Sequence, residues 1–364
     1  MKIKAAVVRE KSGPFRIEEV DLAEPSDDEV LIRIVAVGLC HTDLVARDQY
    51  LPFPLPAVLG HEGAGIVEKV GLRVTKVSPG DHVVLSYLTC GVCPECIKGM
   101  PGHCLDFLKS NFSGSRLDGT PTIRKNGEII HGAFFGQSSF ATYALAIERN
   151  VVKVSKDVPL EILGPLGCGF QTGAGGVINT LHPRPGSSIA IFGVGSVGLS
   201  AVMAAYACGC TIIIAVDTNA ARLKMAQEFG ATHIVDPAKT DPVTEIQTIT
   251  GPGADYALEC TGIPKVFRQT VDSIRIGGEC GLIGVAPFGA EVSLDMQNIL
   301  NGRTIKGVVE GDSVPDIFIP QLIELNRQGR LPFDKMIKFY PMDQINQAAE
   351  DSEKGITLKA ILRP

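Results

Sequence analysis

The chain has 364 residues, a length for two domains, with 45% hydrophobic and 20% charged residues, which excludes a disordered polymer. Lys and Arg number 34 against 40 Asp and Glu. A net charge of −6 without a basic run argues against a partner that is nucleic acid or an anionic membrane.

The opening MKIKAAVVREKSG carries charges at Arg9, Glu10 and Lys11 and predicts no signal peptide, so a cytoplasmic location is expected. The first 150 residues read as β-rich: KAAVV, EVLIRIVAVG, GAGIVEKVG and DHVVLSYL are short apolar runs between Gly, Pro and Asp. A polar, Cys-rich loop follows from Cys90 to about Arg124. It holds Cys90, Cys93, Cys96 and Cys104 in the spacing C-x2-C-x2-C-x7-C. Four thiolates this close in sequence fit around one tetrahedral ion, as in structural zinc sites. Gly91, Pro94, Gly99 and Gly102 allow the necessary turns. Disulfides and an iron–sulfur cluster are the competing readings. Zinc would stabilise a loop with little apolar content of its own.

From about Gly169 to about Lys306 strand-like IAIFG, TIIIAVD, HIVD, YALEC and CGLIGV alternate with helix-like AARLKMAQEFGA and TDPVTEIQTIT, the rhythm of βαβ units and a parallel sheet. Pro185 to Val216 contains no charge and is long enough to span a membrane. Its glycines divide it into strand-like IAIF, helix-like LSAVMAAYA and strand-like TIIIAV, so buried parallel strands are expected instead. Between the first of these and the helix lies GVGSVG, a dinucleotide fingerprint with Gly193, Gly195, Ser196, Val197 and Gly198. Gly193 permits the tight turn, Gly195 the approach of a pyrophosphate, and Gly198 close helix–strand packing. Amides at the helix start would bind the phosphates. Asp217, about 20 residues on, would accept the ribose hydroxyls and repel a 2′-phosphate, which favours NAD over NADP. A helix N-cap is the plain alternative for Asp217. The tail predicts a helix in DIFIPQLIELNRQGR and a strand in TLKAILR.

Cys40 in GLCHTD, His61 in GHEGAG and Cys168 in GCGFQTG each read singly as core residues, and nothing local groups them. With GHEGAGIVEKVG, the four-cysteine loop and GVGSVG followed by Asp217, however, nearly the whole chain resembles the zinc-dependent medium-chain alcohol dehydrogenases. Within them it is most similar to bacterial aryl-alcohol (benzyl alcohol) and terpenoid-alcohol (geraniol) dehydrogenases. The resemblance implies an α/β protein. A GroES-like β-rich catalytic domain would take residues 1–169 and 310–364, with the structural zinc loop at 90–104. A Rossmann domain, a doubly wound parallel sheet binding NAD, would take 170–309, with the active site in the cleft between.

The resemblance also implies two Zn2+ per chain. Cys40, His61 and Cys168 match the catalytic ligands, the two-cysteine, one-histidine set known from alcohol dehydrogenases. Cys90, Cys93, Cys96 and Cys104 match the structural ligands. Asp43 matches the carboxylate that orients the zinc-bound histidine, Glu62 an acidic residue that approaches the metal, and Thr42 the hydroxyl that takes the substrate proton. His41 matches a residue near the pyrophosphate. Arg222 and Lys359 match basic cofactor contacts, with surface salt bridges as the alternative. Thr172 and the backbone near Val285 match nicotinamide contacts. Where many members carry a relay histidine this chain has Val45, which carries no proton and makes the region more apolar. Leu51, Phe134 and Phe135, with Tyr50 and Phe53, are placed near the substrate channel, although FF pairs commonly belong to cores.

The implied reaction is zinc-dependent, NAD-linked oxidation of a bulky hydrophobic primary alcohol to its aldehyde. A glutathione-dependent formaldehyde dehydrogenase and a non-catalytic NAD(H)-binding zinc protein are the alternatives. A homo-oligomer is expected, a dimer more than a tetramer, without nucleic-acid or membrane partners.

Overall fold

KIKAAVV and FRIEEVDL pair antiparallel from Lys2↔Asp21 to Val8↔Phe15, with the apolar run Ala5–Val8 buried throughout and Phe15, Val20 and Leu22 turned inward. The computed structural model describes every residue from Met1 to Pro364. The pair lies within a five-stranded sheet ordered Ala57–Val58, Lys2–Val8, Phe15–Leu22, Ile123–Lys125, Glu128–Ile130. A second sheet centres on Glu29–Gly38, which pairs antiparallel with Glu62–Val70, Tyr143–Ile147 and Lys359–Arg363. Val30, Ile32, Val37, Phe140 and Leu362 are among the buried residues of one shared core.

Glu18 clasps three strands of the five-stranded sheet. Arg9 Nε and Nη2 donate to its two carboxylate oxygens at 2.8 and 2.6 Å, and Lys125 Nζ donates at 2.8 Å. The Arg9 guanidinium, helped by Lys125, holds the Glu18 carboxyl at about 2 against the opposing effect of burial, below an ordinary 4.5. A depressed carboxyl stabilises the fold above the unfolded value and loses that effect as pH falls toward the folded one. Glu18→Gln is therefore expected to cost about 1–2 kcal/mol at neutral pH, discounted for the partial exposure of both cations. Denaturant titrations should show more than half of that difference gone by about pH 3.

The second unit reads out the predicted alternation. Its six strands are all parallel and run in the order His233–Val235, Ile212–Val216, Ser188–Phe192, Ala254–Glu259, Ile274–Leu282, Thr304–Gly307. Taken by chain position this is 3-2-1-4-5-6, the Rossmann order, whose switch point lies beside Ser188–Phe192. The uncharged run is strand, helix and strand, with the helix only Ser196–Ala207. No helix in the chain is long and apolar enough to cross a membrane.

The two units comprise Met1–Cys168, Val314–Pro320 and Asp334–Pro364, and Gly169–Ser313 with Gln321–Phe333. Sequence reasoning gives all of 310–364 to the first unit, whereas Gln321–Phe333 packs with the second. The reason is visible in Phe333, whose ring sits 5.2 Å from that of Phe170. The strand-like tail joins the first unit as expected, as Lys359–Arg363.

Candidate active site and metal centres

The four loop cysteines converge. Their sulfurs lie within 4.8 Å of one another, close to the separation of about 3.8 Å that a tetrahedron of Zn–S bonds requires. Cys90 and Cys96 stand 4.0 Å apart and all four are free thiols, so the disulfide reading is excluded here. Local turns do the folding: Pro94 opens the short helix Pro94–Ile97, and Gly91 and Gly99 adopt φ of 73° and 81°, where glycine is favoured. The amides of Cys93 and Cys90 donate to the sulfurs of Cys90 and Cys104, both at 3.3 Å. Backbone donors at Cys96 and Leu105 hold the Cys93 thiol at about 6, the direction a metal ligand needs.

A second set gathers Cys40, His61, Glu62 and Cys168, again with ligand atoms within 4.8 Å. Cys40 precedes the helix His41–Arg47, where the carboxylate of Asp43 folds back to accept the Cys40 amide at 2.9 Å. The other Asp43 oxygen accepts from Gly60 N at 3.0 Å and meets His61 Nδ1 at 2.9 Å. Asp43 thus fixes both ligand segments at once. His61 is wholly buried, and its Nε2 has no hydrogen-bond partner. A buried, unpaired nitrogen beside two cysteine sulfurs is what an imidazole ligand presents to a metal ion. The residues therefore fit a zinc ion, with Glu62 adjoining.

The titratable groups of this set act strongly on one another. A hydrogen bond from Cys168 holds the Cys40 thiol well below its ordinary value, against burial and helped by His61. Burial pushes the His61 imidazole down, but the charge and hydrogen bond of Asp43, with Cys40, outweigh it and hold it well above its usual value. Burial and the Cys40 charge raise the Glu62 carboxyl, opposed by Lys359. Lys359 Nζ stands 2.8 Å from both Glu62 oxygens, and the pair is buried. This corrects the surface-salt-bridge alternative for Lys359. Its ammonium neutralises Glu62 inside the fold, because the strand Lys359–Arg363 lies against Glu29–Gly38, which in turn pairs with Glu62.

Thr42 Oγ1 lies 3.7 Å from Cys40 Sγ, within the ligand neighbourhood. Val45 and Leu51 are half-buried, whereas His41 and Tyr50 are exposed. Phe53 and Phe134 are buried, 2% and 0% exposed, and belong to the core of the first unit. Phe134 packs its ring edge on His61 at 5.4 Å and on Phe53 at 5.0 Å. Phe135, also buried, stacks on the His61 ring at 4.4 Å and 22°.

Two residues absent from the sequence reading belong to this site. Gln137 donates to the His61 carbonyl at 2.8 Å and accepts from Gly63 N at 3.1 Å. Ser138 Oγ accepts from Phe134 N and donates to Val58 O. Only the polarity of QSS amid apolar neighbours hinted at a buried network.

The second unit carries the dinucleotide cradle. Gly193 has φ of 84°, and a Cβ at Gly198 would run into the Gly193 carbonyl oxygen. Nothing lies within 4 Å of where a Gly195 Cβ would be, so that backbone is open to a ligand. The first-turn amides of Ser196 and Val197 have no intrahelical acceptor. A cavity of about 500 Å³ is lined by Gly193, Gly195, Asp217, Arg222, Thr261 and Lys265 among others. Asp217 accepts from Val194 N at 2.9 Å and Asn219 N at 2.8 Å, with Arg222 3.9 Å away. The N-cap of the next helix is Asn219, which overturns the cap alternative for Asp217. The buried Glu259 carboxylate accepts the amides of Thr261 and Gly262 and holds the opposite wall. Thr172 is buried with its hydroxyl 3.4 Å from Glu310, and Val285 is 76% exposed. The open glycine, helix amides and carboxylate fit a dinucleotide.

Residues 26–156 match the alcohol dehydrogenase GroES-like domain, and residues 196–325 match the zinc-binding dehydrogenase family. The chain is 47% identical to geraniol dehydrogenase of Castellaniella defragrans over 99% of its own length and 97% of the relative's. The crystal structure of benzyl alcohol dehydrogenase from Acinetobacter calcoaceticus matches with a TM-score of 0.97 and 50% identity, covering 100% of this chain and 99% of that one. An alcohol dehydrogenase zinc-binding domain protein from Burkholderia ambifaria matches at 0.98 and 55%, with the same coverage. The chain belongs to the zinc-dependent medium-chain alcohol dehydrogenases, a GroES-like domain joined to a Rossmann domain.

Proposed function

We propose that this alcohol dehydrogenase oxidises bulky hydrophobic primary alcohols, aryl or terpenoid, to aldehydes with NAD, carrying one catalytic and one structural zinc. The observation that carries the reading is the buried, unpaired His61 Nε2 converging with Cys40 and Cys168. Relatives named for geraniol and benzyl alcohol support the substrate class, as do the apolar Val45 and Leu51. When bound, zinc would supply Lewis acidity that lowers the alcohol's pKa, and NAD would accept the hydride.

The chain's own residues do the rest. Asp43 fixes the tautomer and direction of His61. Lys359 offsets the Glu62 charge, which leaves Cys40 and Cys168 as the anionic groups that would hold the ion. Thr42, whose hydroxyl lies 3.7 Å from Cys40 Sγ, would take the hydroxyl proton. Val45 offers no side chain to pass that proton on. The buried Phe134 and Phe135 exclude water from behind His61. A cytoplasmic location is part of the reading, and ten free cysteines are consistent with it. The reading includes a homodimer, supported by the free edge of Thr304–Gly307 and by exposed Met296 and Leu300, 86% and 78%, just before it in sequence.

The test is NADH formation by the zinc-loaded protein with ethanol, benzyl alcohol, cinnamyl alcohol, geraniol and hydroxymethylglutathione. Large hydrophobic alcohols should turn over best, with little ethanol activity. Turnover of the glutathione adduct alone would replace the reading. Asp217→Asn keeps an acceptor for Val194 N but drops the charge, and should lower the NAD-over-NADP ratio of kcat/KM about tenfold or more. An undiminished ratio would remove Asp217 from cofactor choice.

A further inference from the structure

The rings around His61 form a chain that begins at the four-cysteine loop. Cys104 closes that loop, and its carbonyl accepts the amide of Phe107, first residue of the helix Phe107–Phe112. Phe107 meets Phe135 edge-on at 6.4 Å, and Phe112 meets Phe135 at 5.1 Å. Phe135 then lies flat on the His61 imidazole. The turn that presents it is unusual. Ala133 and Phe135 have φ of 56° and 51°, a region bulky residues seldom adopt and keep only where the surroundings over-determine it. Asn150 does so by donating toward the carbonyls of Phe135 and Gly136, and Ser138 by its bonds to Phe134 and Val58.

Asp43 grips His61 at one ring atom, Nδ1. That bond acts at one atom, so the tilt of the wholly buried ring is set by what packs against its faces. A flat ring against one face fixes this tilt. We propose that Phe135 is a positioning residue for His61, and that the rings of Phe107, Phe112 and Phe135 transmit the order of the four-cysteine loop to the catalytic ligand set. The proposal rests on Cys40, His61 and Cys168 being metal ligands. The metal in the loop then acts twice, holding its own turns and keeping the catalytic histidine aimed.

The test uses the full chain loaded with cobalt(II) at both sites, as wild type, Phe135→Leu, Phe107→Leu and the double variant. Readouts are metal per chain, the d–d spectrum, and the rate of cobalt release to a chelator. Phe135→Leu should keep the thiolate bands of the four-cysteine site. It should release catalytic cobalt about tenfold faster, with shifted d–d bands. Phe107→Leu should do the same more weakly, and should add nothing in the Phe135→Leu background. Unchanged release and spectra in both single variants would overturn the proposal, and additive effects in the double variant would overturn the transmission. If Phe135→Leu does not fold, Phe107→Leu decides alone: faster catalytic release with intact four-cysteine bands supports the proposal, and wild-type release overturns it. A wild type that takes up cobalt only at the four-cysteine site would instead overturn the ligand assignment.

Discussion

His61→Ala is expected to leave a folded protein whose turnover falls about 10³-fold or more, with one metal ion per chain instead of two. The substitution removes the only imidazole among the gathered ligand atoms and leaves two thiols beside a neutralised carboxylate. Asp43 keeps two of its three partners, the amides of Cys40 and Gly60, so the two ligand segments stay joined. The four-cysteine site is built from a separate stretch of chain and should retain its metal. Metal analysis, circular dichroism and NADH formation on one preparation check all three statements. A variant with both metals and wild-type turnover would exclude His61 from the ligand set.

Two alanines in the glycine-rich turn should fail in opposite ways. At Gly198 a methyl group would collide with the Gly193 carbonyl, a backbone atom that cannot swing aside. Gly198→Ala should therefore cost about 3 kcal/mol or more of stability, at the upper end of overpacking, and NAD binding should fall with the fold. Gly195 has φ of −71° and open space where its Cβ would be. Gly195→Ala should thus match or slightly exceed wild-type stability, by at most about 1 kcal/mol. It would still hold the phosphates off the helix amides and weaken NADH binding by about 10²-fold, or ~3 kcal/mol. Thermal unfolding and NADH fluorescence titration separate the two. A Gly195→Ala protein that binds NADH normally would mean the phosphates lie elsewhere.

What was legible in the sequence was local. The four cysteines fall in one short loop, and spacing alone predicts their convergence. The glycine turn, its strand and its helix are contiguous, and each glycine's geometric reason appears in the backbone. Cys40, His61 and Cys168 carry no such signal. Strand pairing and the turn before Cys168 bring them together, and only the family resemblance grouped them. Gln137 reaches His61 across 76 residues, and a buried amide leaves no periodic mark. For Phe53 and Phe134 the sequence is silent on burial, because an apolar ring looks the same in a channel wall and in a core. The salt-bridge alternative for Lys359 falls on the surface because a lysine is read as exposed by default, and a partner 297 residues distant cannot be inferred.

That distance also orders events during synthesis. At about 5–20 residues per second, Lys359 is made roughly 15–60 s after Glu62. Until then the carboxylate lacks the Lys359 ammonium, and breaking a buried pair of this kind costs about 3–5 kcal/mol. The strand carrying Lys359 must also dock on Glu29–Gly38 before the sheet is complete. The first unit is therefore the last to be completed, and its buried Glu62–Lys359 pair forms only after the parallel-sheet unit has been synthesised.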